Sequence, residues 1–262
     1  MPDWISIVLL GIIEGITEFL PVSSTGHLLL AETFLPRQSD LFNIVIQTGA
    51  VLAVLPLFPE RLRQFLFDWR KPATQDYLLK IFVACAITGI PGYVMDHAGL
   101  KLEEKILPVA IALLIGGVAF VLVERLIKGR TFQENITWSV AIAVGLAQLV
   151  AAVFPGTSRS GATILIALIL GISRVAATEF TFLVGIPTMM AAGGLKIAKQ
   201  LLKHDGAAGE NWGLLLLGFA VSAVVSFIAV RWLLRYVQTH TFVAFGWYRI
   251  ALAAILILFA LR

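Results

Sequence analysis

Residues 14–27 read EGITEFLPVSSTGH. The stretch carries two carboxylates, four hydroxyls and an imidazole, yet its flanks are strongly apolar. Hydrophobic residues make up 59% of the 262-residue chain and charged residues 14%, with a mean hydropathy of +0.91. So few charges cannot cover that much apolar surface in water, and several segments approach the roughly 20 apolar residues that cross a bilayer. The chain therefore reads as an all-α integral membrane protein, and the polar stretch as an interruption inside it.

Six segments are long enough to span: about 41–58, 77–95, 105–126, 178–203, 212–236 and 243–261. Two further apolar regions, 4–35 and 137–171, are broken by PVSSTG and by PGTSRSG. Each break leaves pieces too short to cross, which predicts two re-entrant helical hairpins. An offset of 134 pairs Gly11 with Gly145, Glu14 with Gln148, Pro21 with Pro155 and Ser24 with Ser158. One hairpin plus three spans per half makes two inverted repeats, about 1–126 and 127–262, in a single membrane domain. Paired interrupted segments of this kind point to a site at the repeat interface near the midplane.

Charge sets the remaining bounds. A net charge of +4 without a basic run excludes nucleic acid as a partner, and lysines and arginines are better read as topology markers. Placing loop 59–76 inside puts ten of them inside, Arg61, Arg63, Arg70, Lys71, Arg125, Lys128, Arg130, Arg174, Arg231 and Arg235. Seven then lie outside: Arg37, Lys101, Lys105, Lys196, Lys199, Lys203 and Arg262. The lean is slight. Trp138, Trp212, Trp232 and Trp247 fall near segment ends, as interfacial tryptophans do. The opening MPDWISIVLL lacks a positive stretch and a small-residue cleavage site, so no removable signal peptide is expected, and the lone Cys85 excludes an intrachain disulfide.

Glu14 and Glu18 share a helix face, where like charges repel unless one is protonated or a cation lies between them. A water-exposed interfacial face is the plainer alternative. Pro21 ends that helix, and Ser23, Ser24 and Thr25 offer N-caps for the next. In the second break Thr157 or Ser158 caps, with Arg159 in the first turn. Two helix N-termini then point inward from opposite leaflets and favour an anion. Arg159 adds a planar donor fork suited to phosphate, or simply pairs with Glu18. His27 is either a hydrogen-bonded structural residue or a proton carrier. His97, His204 and His240 read as surface loop residues, Arg174 and Glu179 as a pair, and Arg249 beside Tyr248 as an interfacial anchor. A nucleophile, a base and positive charge for transferred oxygens are all present, which is the inventory phosphoryl transfer requires.

EGITEFLPVSSTGH and PGTSRSGAT (155–163) closely resemble the paired signatures of the undecaprenyl pyrophosphate phosphatases, the bacitracin-resistance family. The likeness extends over essentially the whole chain, and no His-x-x-x-Asp of the acid phosphatases follows SRSG. The resemblance implies a multi-pass enzyme of the bacterial cytoplasmic membrane, often a homodimer, with its site reached from the periplasm. It would remove the terminal phosphate of undecaprenyl pyrophosphate with the help of Mg²⁺ or Ca²⁺, giving the lipid carrier for envelope polymers. Carried onto this chain, Glu18, Ser24, His27 and Arg159 are the catalytic candidates. Ser23, Thr25, Ser158, Ser160 and Thr163 are candidates for substrate binding, and Glu14 with Glu18 for the metal. Whether Ser24 or a water attacks stays open. A lipid-phosphate transporter or flippase using the same anion site is the competing reading; a non-catalytic scaffold leaves the polar cluster unexplained.

Overall fold

The computed structural model describes residues 3–98, 105–202 and 211–261. Lys101, Lys203, His204 and Arg262 lie outside the described residues, as does the side chain of Lys199. Eleven helices account for nearly all of what is described. The first hairpin is α1 (Asp3–Thr17) and α2 (Ser24–Ala31), and the second is α7 (Trp138–Val153) and α8 (Arg159–Ile169). The six helices long and apolar enough to span are α3 (Asp40–Val54, prolonged by a 3-10 turn to Leu57), α5 (Pro72–His97), α6 (Ile106–Leu126), α9 (Arg174–Leu202), α10 (Trp212–Tyr236) and α11 (Val243–Ala260). These are the six segments expected from hydropathy. The interval read as a plain loop contains one more element, the short α4 (Pro59–Phe67), whose charged residues Glu60, Arg61 and Arg63 leave it too polar to register as a span. His97 closes α5 rather than lying in a loop.

Helices in lipid associate through close van der Waals packing at small residues, since lipid tails offer no hydrophobic penalty to escape. The two halves use the same device. A Cβ on Gly11 of α1 would meet the Gly218 carbonyl of α10 at 3.1 Å, and one on Gly145 of α7 would meet the Ala84 carbonyl of α5 at 2.9 Å. Gly11 and Gly145, and likewise Ala84 and Gly218, differ by 134 in sequence. Each hairpin's first helix therefore lies against the second spanning helix of the opposite half. α6 runs along α11, and α3 lies between α10 and α9. The halves are thus interleaved, and both hairpin tips meet inside the bundle around Phe19, Phe120, Phe180 and Phe182, all fully buried. Trp138, Trp212, Trp232 and Trp247 lie exposed near helix ends, as interfacial tryptophans should.

Ion pairs lock the face that carries loop 59–76. Arg61 pairs with Glu179 at 2.6 Å, and Arg174 pairs with Glu124, so Arg174 and Glu179 do not pair with each other as the sequence suggested. Their separation of five residues puts them on different helix faces, and each finds a partner from the opposite half. Glu124 also accepts the backbone N–H of Phe242 at 2.9 Å, tying the ends of α6 and the starts of α9 and α11 together.

Candidate active site

The two breaks are built alike. Pro21 and Pro155 cannot extend a helix, and two or three residues later a serine caps the next one. Ser23 (φ 72°, ψ 102°) caps α2 and Ser158 (φ 67°, ψ 110°) caps α8. Their hydroxyls accept the N–H of Gly26 at 3.5 Å and of Gly161 at 3.2 Å. Among the described residues these serines are the only non-glycine positions with positive φ. Such backbone costs about 1–3 kcal/mol per residue and survives where the surroundings fix it. Glycine at 156 (φ 90°) makes the second turn possible, because a Cβ there would lie 2.7 Å from the Val109 carbonyl.

This geometry corrects the pairing drawn from sequence. Ser23, not Ser24, is the counterpart of Ser158, because the second break is one residue longer between proline and cap. Ser24 therefore corresponds to Arg159: each is the first residue of its helix. With capping done by Ser23, the Ser24 hydroxyl is left for other work. It donates to Glu18 Oε2 at 2.8 Å. Arg159 Nη2 reaches Glu18 Oε1 at 3.4 Å, and Gln47 Nε2 lies 3.5 Å from Glu18 Oε2. Glu18 is thus joined to the serine on one oxygen and to the guanidinium on the other. The interfacial water-exposed face considered for the two glutamates is excluded: Glu14 is 2% exposed and Glu18 8%.

The Arg159–Glu18 contact is long and single, and it leaves Arg159 Nη1 buried with no partner among the described residues. The guanidinium rests over the Phe19 ring at 5.7 Å and against the bare backbone of Gly185, where any Cβ would overlap Nη1. Glu14 Oε2 is likewise buried and unpartnered. Its counterpart Gln148 is uncharged; it gives its amide N–H to Thr88 at 3.3 Å, and its Oε1 is likewise without a partner among the described residues. Orphaned buried donors and acceptors of this strength call for a ligand.

The remaining candidates fall into different places. His27 Nδ1 lies 2.7 Å from the Ser23 carbonyl, so that nitrogen carries the proton, and Nε2 accepts from the Tyr248 hydroxyl at 2.7 Å. Ser160 is fully buried and donates to the Leu20 carbonyl at 3.1 Å, which joins one hairpin tip to the other. Thr163 turns its hydroxyl to the Arg159 and Ser160 carbonyls of its own helix. These two hold the site from behind. Thr25 and Ser158 are half-buried beside it. His240 stacks on Tyr236 and bonds Thr239 on the surface.

Sequence reasoning missed three residues. Tyr248 and Gly185 had no local signal. Arg249 was assigned to the interface, but it is fully buried, and its guanidinium donates to the backbone of both breaks. An arginine in an apolar span with no acid within a helical turn was the available clue.

Two glutamates, a serine hydroxyl bonded to one of them, an unsatisfied guanidinium and two facing helix N-termini suit a substrate with a compact, multiply charged phosphate group. The comparisons agree. Residues 7–255 match the family model of the bacitracin resistance protein BacA. A protein of Rhizobium etli named undecaprenyl-diphosphatase is 52% identical over 256 residues, covering 97% of this chain and 96% of that protein. Proteins of the same name from Rhizobium johnstonii and Xanthomonas axonopodis pv. citri are 51% and 49% identical, over 97% and 98% of this chain and 96% and 97% of theirs. With its signatures, its breaks and nearly its full length accounted for in this way, the chain belongs to the BacA family.

Proposed function

We propose that this protein is a membrane phosphatase that hydrolyses undecaprenyl diphosphate to undecaprenyl phosphate and inorganic phosphate. The observation that carries the reading is the Ser24–Glu18–Arg159 arrangement, with a hydroxyl 2.8 Å from a carboxylate that a guanidinium also touches. Glu18 takes the Ser24 proton as Oγ attacks the terminal phosphorus. The bond from that phosphorus to the bridging oxygen breaks, and the lipid monophosphate departs. Glu18 then passes its proton to the seryl oxygen as water attacks the phosphoserine, and phosphate leaves. Arg159 Nη1 and the first N–H groups of α2 and α8 hold the phosphoryl oxygens while charge spreads over them. His27, backed by Tyr248, takes up a proton from water and hands it to the departing lipid phosphate, returning to the neutral form.

Glu14 and Glu18 fit a hard divalent cation. They offer carboxylate oxygens, one of them orphaned, but no third acid, histidine or cysteine joins them among the described residues. Glu14 and Glu18 would hold Mg²⁺ or Ca²⁺ there, and the ion would supply charge neutralisation for the phosphate oxygens. An apolar cleft of about 390 Å³ between α5, α7 and α9, lined in part by Cys85 and Thr188, offers the first isoprene units a path. The homodimer, the bacterial cytoplasmic membrane and a periplasmic-facing site complete the reading.

Phosphate release from undecaprenyl diphosphate by the purified chain in detergent tests it. No gradient exists there, so a transporter or flippase would release nothing. Acid-quenched turnover followed by mass spectrometry reads the covalent step: phosphate on Ser24 is expected. Near-normal turnover of Ser24→Ala would replace it by direct water attack with Glu18 as base.

A further inference from the structure

Arg249 is the least expected charge in the molecule. It sits in the middle of α11 at 0% exposure. Its donors reach five backbone carbonyls: Nε to Leu113 at 3.4 Å, Nη1 to Pro21 at 3.3 Å, and Nη2 to Ala112 at 3.3 Å, Gly156 at 3.3 Å and Thr157 at 3.0 Å. No carboxylate pairs with it among the described residues. The space is made for it, since Cβ atoms at Gly116 or Gly161 would press on the guanidinium. A buried charge with no counter-ion is costly, and apolar side chains usually fill such a volume at less expense in stability.

Three of the five acceptors identify what it does. Pro21, Gly156 and Thr157 are the residues just before the two positive-φ caps, Ser23 and Ser158. One planar fork therefore grips both breaks, from opposite halves of the chain. We propose that Arg249 is a positioning residue that holds the two strained caps face to face and places an uncompensated positive charge behind the diphosphate. The charge matters because Arg159 is partly neutralised by Glu18, whereas no carboxylate among the described residues neutralises Arg249. In a poorly solvated site a fixed cation acts on a diphosphate without touching it.

The inference rests on the phosphatase reading, so its test separates the two. Wild-type phosphate release checks the reading itself. Binding of methylenediphosphonate, an inert diphosphate, to the full-length protein in detergent is then measured by calorimetry without turnover. Arg249→Gln is expected to weaken that binding about ten-fold, equivalent to ~1.4 kcal/mol. Arg249→Lys keeps the charge but cannot grip five carbonyls. It is expected to bind diphosphonate within about three-fold of wild type while kcat falls about ten-fold. Gly116→Ala, which presses on the guanidinium and leaves every charge in place, should behave like Arg249→Lys. A merely structural arginine would move melting temperature and active fraction together, without this split between affinity and kcat. Wild-type diphosphonate affinity in Arg249→Gln overturns the proposal. If that variant does not fold, unchanged kcat in folded Arg249→Lys and Gly116→Ala overturns it instead.

Discussion

The Ser24 hydroxyl is available for chemistry because its neighbour does the capping. Ser23 satisfies the start of α2, so Ser24 can donate to Glu18. Two substitutions at this scale distinguish base from clamp. Glu18→Gln keeps shape and hydrogen-bonding reach but removes the proposed base, and kcat should fall by about 10²–10⁴-fold with the melting temperature little changed. Arg159→Lys leaves a point charge where a fork stood, and a loss of about 10²-fold in kcat is expected. Steady-state phosphate release measures both. Gly185 belongs with them. A methyl there overlaps the end of a flexible arginine rather than backbone, so Gly185→Ala should displace the guanidinium and lower activity while α9 stays folded. Activity set beside the melting curve reads this directly; a variant with full turnover would show that the Arg159 seat tolerates a Cβ. Glu18, Ser24 and Arg159 were legible from sequence because polar residues in an apolar segment carry a signal by themselves. Gly185, Tyr248 and Arg249 were not, since each acts on a partner in another element, 26 residues away for Gly185 and more than two hundred for Tyr248 with His27 and Arg249 with Pro21, that no local pattern names.

At the scale of elements, hydropathy and two prolines gave nearly everything. Spans of about 20 apolar residues are rarely anything else, and a proline followed by serines inside one has few physical outcomes. What the pattern could not give was the cap. Capping by Ser23 rather than Ser24 depends on a positive φ that serine adopts only under tertiary restraint, here the Arg249 contacts and the Ser160–Leu20 hydrogen bond. Register between the breaks was read one residue off for that reason. α4 was invisible for the opposite reason: its sequence is charged and begins at a proline, which also suits a loop. The cap itself is testable. Ser158→Ala removes the acceptor for Gly161 N–H while keeping a Cβ at φ 67°, and should destabilise by about 1 kcal/mol. Ser158→Gly loses the same acceptor but relieves the backbone, and should be the milder of the two. Thermal unfolding in detergent ranks them; the reverse order would mean that the positive φ is not under strain.

For the whole molecule, interleaving means that neither half can close the site alone. Glu18 and Ser24 come from the first hairpin and Arg159 from the second, while α11 grips both. Glu124 fixes the far side of this arrangement. Its side chain is 1% exposed and accepts from Arg174 and from the Phe242 N–H, so Glu124→Ala should cost about 3 kcal/mol by leaving a cation unpaired. The melting temperature should drop, while the activity of the molecules that remain folded stays close to wild type. Orientation follows from the same architecture. Arg37 precedes α3 and Lys128 follows α6, so three spans separate two exposed positions, and an odd number puts them on opposite faces of the bilayer. We propose from the slight excess of basic residues on the Lys128 face that this face is the inside. In a Cys85→Ser background, Arg37→Cys in intact cells should react with a membrane-impermeant maleimide. Lys128→Cys should react only after the cells are broken. The opposite labelling would turn the molecule over, and with it the side from which the diphosphate must arrive, without altering the distance between Ser24 and Glu18.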